Sequence, residues 1–261
     1  MDLLLTDPPY NVDLGSSGGR PITPAEMKQR KRRTDGKIIQ NDSMANDTFQ
    51  DFLIRFLTGA KTVMRPGAAF YIWHADSSDN GIIYREALKA AGFIYRQLLI
   101  WVKNTIILGR QDYQWKHEPC LYGWIDGAAH YFCDSRSLPT VMEDFPKLSQ
   151  LSREELVEII NELRDGTIST TVLHEDKPSR SEEHPTMKPV RLFARQIKNS
   201  TREREIVLDP FGGSGTAIIA AEQLNRRCYM IELDPKYADT ILESWETFTG
   251  EKAKVVTEYA N

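Results

Sequence analysis

Cysteine is scarce in this chain: Cys120, Cys133 and Cys228 are the three among 261 residues, and they form no CxxC pair. That excludes a disulfide framework and implies a reducing, cytoplasmic setting. Long apolar runs are also missing. The opening MDLLL is far too short for a signal peptide or a membrane span, and no other run is long enough. A surplus of positive charge is lacking as well, with a net charge of −4. Any nucleic-acid binding must then come from a local patch. No metal centre is expected. HEPC (His117–Cys120) has no second ligand pair at zinc-site spacing and reads as a structural turn. Neither an internal repeat nor a low-complexity block occurs. The length allows one large domain, or one domain with an insertion.

What is present begins at the first residues, MDLLLTDPPY. DLLLT reads as a short buried strand. Two successive prolines then end it, because neither has an N–H to give, and they hold Asp7 out of helical geometry. Asp7 is expected at the C-terminal end of a strand, where ligands of open α/β sheets bind, with Tyr10 beyond a stiff spacer. Taken alone, a proline-rich turn closing an edge strand accounts for these residues as well.

Residues 15–40 combine glycine, serine and proline with a basic cluster, Lys28, Arg30, Lys31, Arg32 and Arg33, and read as a mobile loop. Helical spacing follows in DTFQDFLIRFLTGAKTV, up to Pro66-Gly67, and again in GIIYREALKAAG. AAFYIWHAD and FIYRQLLIWVKN read as strands, and EPCLYGWID with AHYF as a strand pair about Asp126-Gly127. Residues 134–183 are irregular and polar around one amphipathic helix capped by Ser152, and read as an insertion. PVRLFARQIKNS is a helix with proline in its first turn. The remainder alternates strand and helix. The fold class is therefore α/β, a mostly parallel twisted sheet with helices on both faces.

VLDPFGGSGT follows a predicted strand and opens a helix. Its glycines permit a tight turn and let backbone approach a ligand. The next strand, CYMIE, ends in Glu232, where nucleotide-binding α/β folds place an acid for ribose hydroxyls. The loop is too short for a P-loop and has no lysine, so an adenosine-type ligand without a triphosphate is expected. A turn chosen only for close helix–strand packing is the plainer account.

DPPY followed far downstream by FGGSGT resembles the amino-group DNA methyltransferases. With the first motif near the N-terminus and the second near the C-terminus, the chain looks like their circularly permuted β group. HPTMKPVRLFARQI and WKHEPCLYGW are similar to further family segments, and the full set looks most like members of phage and prophage type, some of which carry a ParB-related domain. The resemblance spans nearly the whole chain and implies one permuted methyltransferase domain over 1–261, with a Rossmann-like fold. Family members have residues ahead of the first strand, often with a Gly-Asp pair that touches the adenine. Here the strand starts at the second residue, so either the chain is a trimmed fragment or the adenine is held another way.

The resemblance implies a catalytic set of Asp7, Pro8, Pro9 and Tyr10. It implies an S-adenosylmethionine site of Asp209, Phe211, Gly212, Gly213, Ser214, Gly215, Thr216 and Glu232, with His184, Thr186 and Lys188 closing the pocket. It implies double-stranded DNA as partner, homodimerisation as a family habit, and residues 134–183 as the target-recognition region. DNA contacts are expected from Lys28 to Arg33 and from Arg136, Lys177 and Arg180. The aspartate form points to adenine N6; the alternatives are cytosine N4, methylation of RNA or a glutamine amide, or an inert DNA- or cofactor-binding subunit. His74 and Asp76 are expected at the same sheet edge as Asp7, and Trp101, Trp115 and Trp124 in the core.

Overall fold

The computed structural model describes residues 1–11, 44–77, 79–107, 112–133, 138–143, 152–153, 157 and 188–256. The first strand, β1 (Leu3–Thr6), is buried along its whole length. Leu4 packs into one hydrophobic cluster, and Leu3 and Leu5 into another. This is the two-residue alternation of a strand covered on both faces. On the Leu4 side lie α1 (Asn46–Val63) and α2 (Asn80–Ala90), which contribute Phe49, Leu53, Leu57, Tyr84 and Leu88. On the other side lie α3 (Val190–Ser200) and α4 (Thr216–Gln223), with Leu192, Phe193, Ile197, Ala217 and Ala221. The architecture is three layers, with helices on both faces of the sheet.

The remaining strands are β2 (Ala69–Trp73), β3 (Ile94–Ile107), β4 (Trp115–Trp124), β5 (Val141–Glu143), β6 (Ile206–Asp209) and β7 (Arg227–Met230). A last helix, α5 (Pro235–Thr249), starts at Pro235 and is capped by the Asp234 carboxylate, which accepts from the Lys236 N–H at 2.9 Å. The strands form one sheet in the order β5-β3-β4-β2-β1-β6-β7. β1 runs parallel to β2 and to β6, and β6 to β7; β4 alone is antiparallel to its neighbours, β2 and β3. β5 runs parallel to β3. β1 is thus a central strand, which removes the edge-strand account of DPPY. The chain leaves β1 toward β2 on one side and later occupies β6 and β7 on the other. The loops after β1 and β6 therefore flank a topological switch point, where α/β sheets open a crevice.

Three local expectations change. The strand pair about Asp126-Gly127 does not form: β4 has both edges filled by β2 and β3, so no edge is open to the segment after the turn. That segment is held instead by His130, stacked on Trp124 at 3.7 Å, and followed by a main-chain bond in which the Cys133 N–H donates to the Asn199 carbonyl at 2.8 Å. HEPC is not a turn but lies within β4. Within residues 134–183, Val141–Glu143 adds the edge strand β5, too short to show a period of its own. Most of the amphipathic helix expected there lies outside the described residues, as does the whole of 15–40. No helix among the described residues is long and apolar enough to cross a membrane.

Candidate active site

β1 ends at Thr6, and Asp7-Pro8-Pro9-Tyr10 leaves the sheet at the switch point. Prolines cannot hold a loop by donating hydrogen bonds, so it is held through its carbonyls. The Tyr84 hydroxyl donates to the Pro9 carbonyl at 2.9 Å, and the Asn80 amide donates to the Tyr10 carbonyl at 2.7 Å. Both donors stand on α2, and Tyr84 is fully buried, edge-on to Phe49 of α1. The helix layer therefore fixes the height of the loop over the sheet.

The Asp7 side chain faces a buried ammonium. Lys188 Nζ lies 2.5 Å from Asp7 Oδ2, 2.7 Å from the Tyr10 hydroxyl and 3.0 Å from Glu118 Oε2. The Lys188 side chain is only 2% exposed. Glu118, on β4, also pairs with Lys103 of β3 through its other oxygen. Burial pushes the Glu118 carboxyl up, but the Lys188 and Lys103 ammonium groups more than offset it and leave its pKa at about 2. Burial pulls the Lys188 pKa down, and Asp7 and Glu118 more than offset that, so Lys188 stays protonated. Burial, with Asp7 and Glu118 nearby, raises the Tyr10 phenol well above its ordinary value, so it stays neutral. Asp7 Oδ1 is buried and has no hydrogen-bond partner among the described residues.

The second motif sits beside the first. Thr6 Oγ1 donates to Asp209 Oδ1 at 2.8 Å, joining the ends of β1 and β6 across 203 positions of sequence. The same Asp209 oxygen accepts the Phe211 N–H at 3.2 Å. Burial raises the Asp209 pKa to about 8. The loop then turns through Gly213 (φ 53°) and Gly215 (φ 83°), both left-handed, and α4 starts at Thr216. A side chain at Gly213 would have nothing nearer than the Phe211 carbonyl oxygen at 3.9 Å, so backbone lies open there. Glu232 stands two residues past β7. Its carboxylate accepts the Gly213 N–H at 2.7 Å and the Asp234 N–H at 2.9 Å. The Phe211 ring packs edge-on to Phe52 and Phe56 of α1, at 5.9 and 5.1 Å. Ser214 Oγ lies 3.2 Å from Thr216 Oγ1, which donates to the Lys188 carbonyl at 3.3 Å.

The structure thus brings together Asp7, Pro8, Pro9, Tyr10, Lys188, Asp209, the glycine loop and Glu232. Lys188, assigned from sequence to the cofactor pocket, places its ammonium on Asp7 and Tyr10. Glu118, Lys103, Asn80 and Tyr84 were not singled out by sequence reasoning. Glu118 carried no signal that set it apart, since Lys116 and His117 precede it in the polar first half of β4. His184, Thr186, Lys28, Arg30, Lys31, Arg32, Arg33, Arg136, Lys177 and Arg180 lie outside the described residues. His74 is at the expected sheet edge: its Nδ1 lies 2.8 Å from the Ala75 carbonyl, its Nε2 is buried with no partner among the described residues, and burial lowers its pKa to about 4. Asp76 pairs with Arg85 at 3.7 Å. Trp101 is buried, whereas Trp115 and Trp124 are half-buried. Among the described residues no cluster of His, Cys, Asp or Glu could hold a metal.

An acid beside a glycine loop, with a second acid past the next strand, is an arrangement at the sheet edge where α/β folds bind ligands. The chain belongs to the DNA methylase family, whose model matches residues 1–243. It is 26% identical over 247 residues to the type II methyltransferase M2.LlaDCHI of Lactococcus lactis subsp. cremoris, covering 91% of this chain and 79% of that one. The M1.HpyAVI–SAM complex superposes with a TM-score of 0.53 at 19% identity, covering 93% of this chain and 87% of that one. The cytosine-N4-specific PvuII DNA methyltransferase does so with a TM-score of 0.58 at 15% identity, covering 92% and 78%. At these identities the two solved structures speak to the shared fold.

Proposed function

We propose that this protein transfers a methyl group from S-adenosylmethionine to the exocyclic N6 of adenine in double-stranded DNA. The observation that carries the reading is the junction of the two motifs. An acid with one buried, unpartnered oxygen and an open glycine loop leave adjacent parallel strands, tied by the Thr6–Asp209 bond.

The residues present fit the methyl donor. Open backbone at Gly213 admits a ligand against the loop, and each Glu232 oxygen keeps a further acceptor direction for ribose hydroxyls. Phe211, braced by α1, offers an apolar wall. Gly212, Ser214, Gly215 and Thr216 shape the turn, and Asp209 anchors its start. When bound, the donor supplies an electrophilic methyl group on a sulfonium.

The protein's own work is on the amine. An exocyclic amine is a weak nucleophile because its lone pair is delocalised into the ring. Asp7 Oδ1 accepts one N–H and the Pro8 carbonyl the other, which draws the nitrogen toward tetrahedral geometry. Among the described residues no hydrogen bond ends on the Pro8 carbonyl, whereas those of Pro9 and Tyr10 are taken. A buried acceptor left without a partner costs about 1–3 kcal/mol, and an incoming amine relieves that cost. Asp7 takes the proton released after transfer. The Tyr10 ring gives the base a flat face, with stacking worth about 1–3 kcal/mol. The base must leave the duplex to reach this depth.

The order of the two motifs supports the permuted β arrangement. Residues 134–183 are then the target-recognition region, the basic loop at 15–40 a phosphate contact, and restriction–modification of type II the biological setting. The test is nucleoside mass spectrometry of mixed-sequence duplex DNA incubated with the protein and S-adenosylmethionine. N6-methyladenine is the expected product. N4-methylcytosine would keep the mechanism and replace the base, and absence of both under conditions where the protein binds the cofactor would favour an inert subunit.

A further inference from the structure

We infer that Lys188 and Glu118 form a positioning pair for the reaction: Lys188, anchored by Glu118, clamps the Oδ2 edge of Asp7 and the Tyr10 hydroxyl, so that Oδ1 is the edge offered to the target amine. The inference rests on the methyltransferase reading above and adds a role that neither motif carries.

The geometry is that of a saturated clamp. An ammonium has three protons to donate, and three oxygens from three different side chains stand within 3.0 Å of this one. With Lys188 in place, Asp7 has one oxygen committed and one without a partner among the described residues. The two oxygens of a carboxylate are equivalent, so what the clamp fixes is the plane of the group: any tilt draws an oxygen away from a cation whose side chain is almost fully buried. The Tyr10 hydroxyl is fixed between the Lys188 ammonium and Glu118 Oε2, to which it donates at 3.2 Å, so the far end of the ring is held in place as well. The cation also lies 5.2 Å from the Tyr10 ring centroid and 5.3 Å from that of Trp73.

Charge arithmetic explains why two carboxylates and two lysines are needed. Asp7 and Glu118 bring two negative charges, and Lys188 and Lys103 two positive, into one partly buried cluster. Lys103 holds the far oxygen of Glu118, which leaves Oε2 to face Lys188. The main chain of Lys188 completes the link, since its carbonyl accepts from Thr216 at the start of α4. One residue therefore touches the acid of the first motif through its side chain and the helix of the second through its backbone.

The test compares Lys188→Met, Lys188→Arg and Glu118→Gln with wild type in the full chain, under saturating DNA, with cofactor affinity measured separately by calorimetry. Misplacing a reacting group by about 1 Å costs about 100-fold in rate, so Lys188→Met should lower kcat by about that factor. Its Kd for S-adenosylmethionine should stay within about threefold of wild type. Lys188→Arg, which keeps the charge and donors, should recover part of the loss, and Glu118→Gln should fall between. Near-normal kcat in Lys188→Met overturns the inference. So does a fall in cofactor affinity as large as the fall in kcat, which would make Lys188 a wall of the cofactor pocket. Should Lys188→Met fail to fold, the isosteric Glu118→Gln decides by the same two readouts. Wild type that binds cofactor but methylates no DNA removes the parent reading and this one with it, a result distinct from active wild type with equally active variants.

Discussion

The two corners of the crevice are built in opposite ways. The corner after β1 is made of side chains: Asp7 and Tyr10 are held by Lys188, Glu118, Asn80 and Tyr84, which stand on three separate segments. The corner after β6 is made of backbone: left-handed glycines, an amide on Glu232, and a turn closed by the Gly215 N–H donating to the Gly212 carbonyl at 2.9 Å. One is charge-dense and closed, the other uncharged along its main chain and open at Gly213. The difference suits the two tasks. A reaction needs acceptors fixed to a fraction of an ångström, and interlocking side chains supply that stiffness. A large ligand needs close approach over a long edge, and bare backbone supplies that.

The sharpest way to break this division is Asp7→Ala. General-base and orienting losses of about 10²–10⁴-fold are usual, so methyl transfer to DNA should fall by at least that much. Cofactor binding by calorimetry should hold. Parallel loss of both would show that the corners are not separable. Gly215→Ala attacks the other side. A β-carbon at φ 83° is strained by about 1–2 kcal/mol, and this one would also meet Ile241 at 3.2 Å. Cofactor affinity and melting temperature should both drop, while turnover at saturating cofactor changes less. Tyr84→Phe removes one hold on the Pro9 carbonyl, worth about 1 kcal/mol. A several-fold loss in kcat with unchanged cofactor affinity is the expected outcome, and single-turnover kinetics would read it.

A last comparison uses pH. Asp209 has a folded pKa of about 8, raised by burial, so between its unfolded value near 4 and pH 8 the native state holds a proton that the unfolded state has lost. Stability therefore declines as pH rises through that window. Asp209→Asn removes the titration, so the melting temperature of wild type should fall relative to the variant from pH 5 to pH 8. A constant difference across that range would mean the Asp209 carboxyl is already ionised in the folded protein.

The same contrast explains what could be read without coordinates. The glycine corner is local: Asp209 to Glu232 covers its strand, turn, helix and acid, and each residue type announces its backbone task. DLLLT was legible as a buried strand and both motifs as strand ends, whereas the central place of β1 and its pairing with β6 are facts of sheet order. The catalytic corner is assembled over long separations, with Tyr84 75 positions from Pro9, Glu118 108 from Tyr10 and Lys188 181 from Asp7. No spacing rule connects them, so HEPC read as a turn and nothing linked Lys188 to Asp7. The strand pair about Asp126-Gly127 failed for a related reason. Its turn chemistry was sound, but β4 already had two partners, a fact of sheet order rather than of local sequence.

The Thr6–Asp209 bond has a further consequence, for how the protein is made. β1 is translated about two hundred residues before its second neighbour, β6. At about 5–20 residues per second, the wait is about 10–40 s. Until then the strand that bears Asp7 has one open edge of unpaired backbone, the feature most prone to mispairing with another nascent chain. Slowed elongation between β2 and β6 should therefore lower the yield of active protein, and supply of a chaperone that shields β1 should restore it.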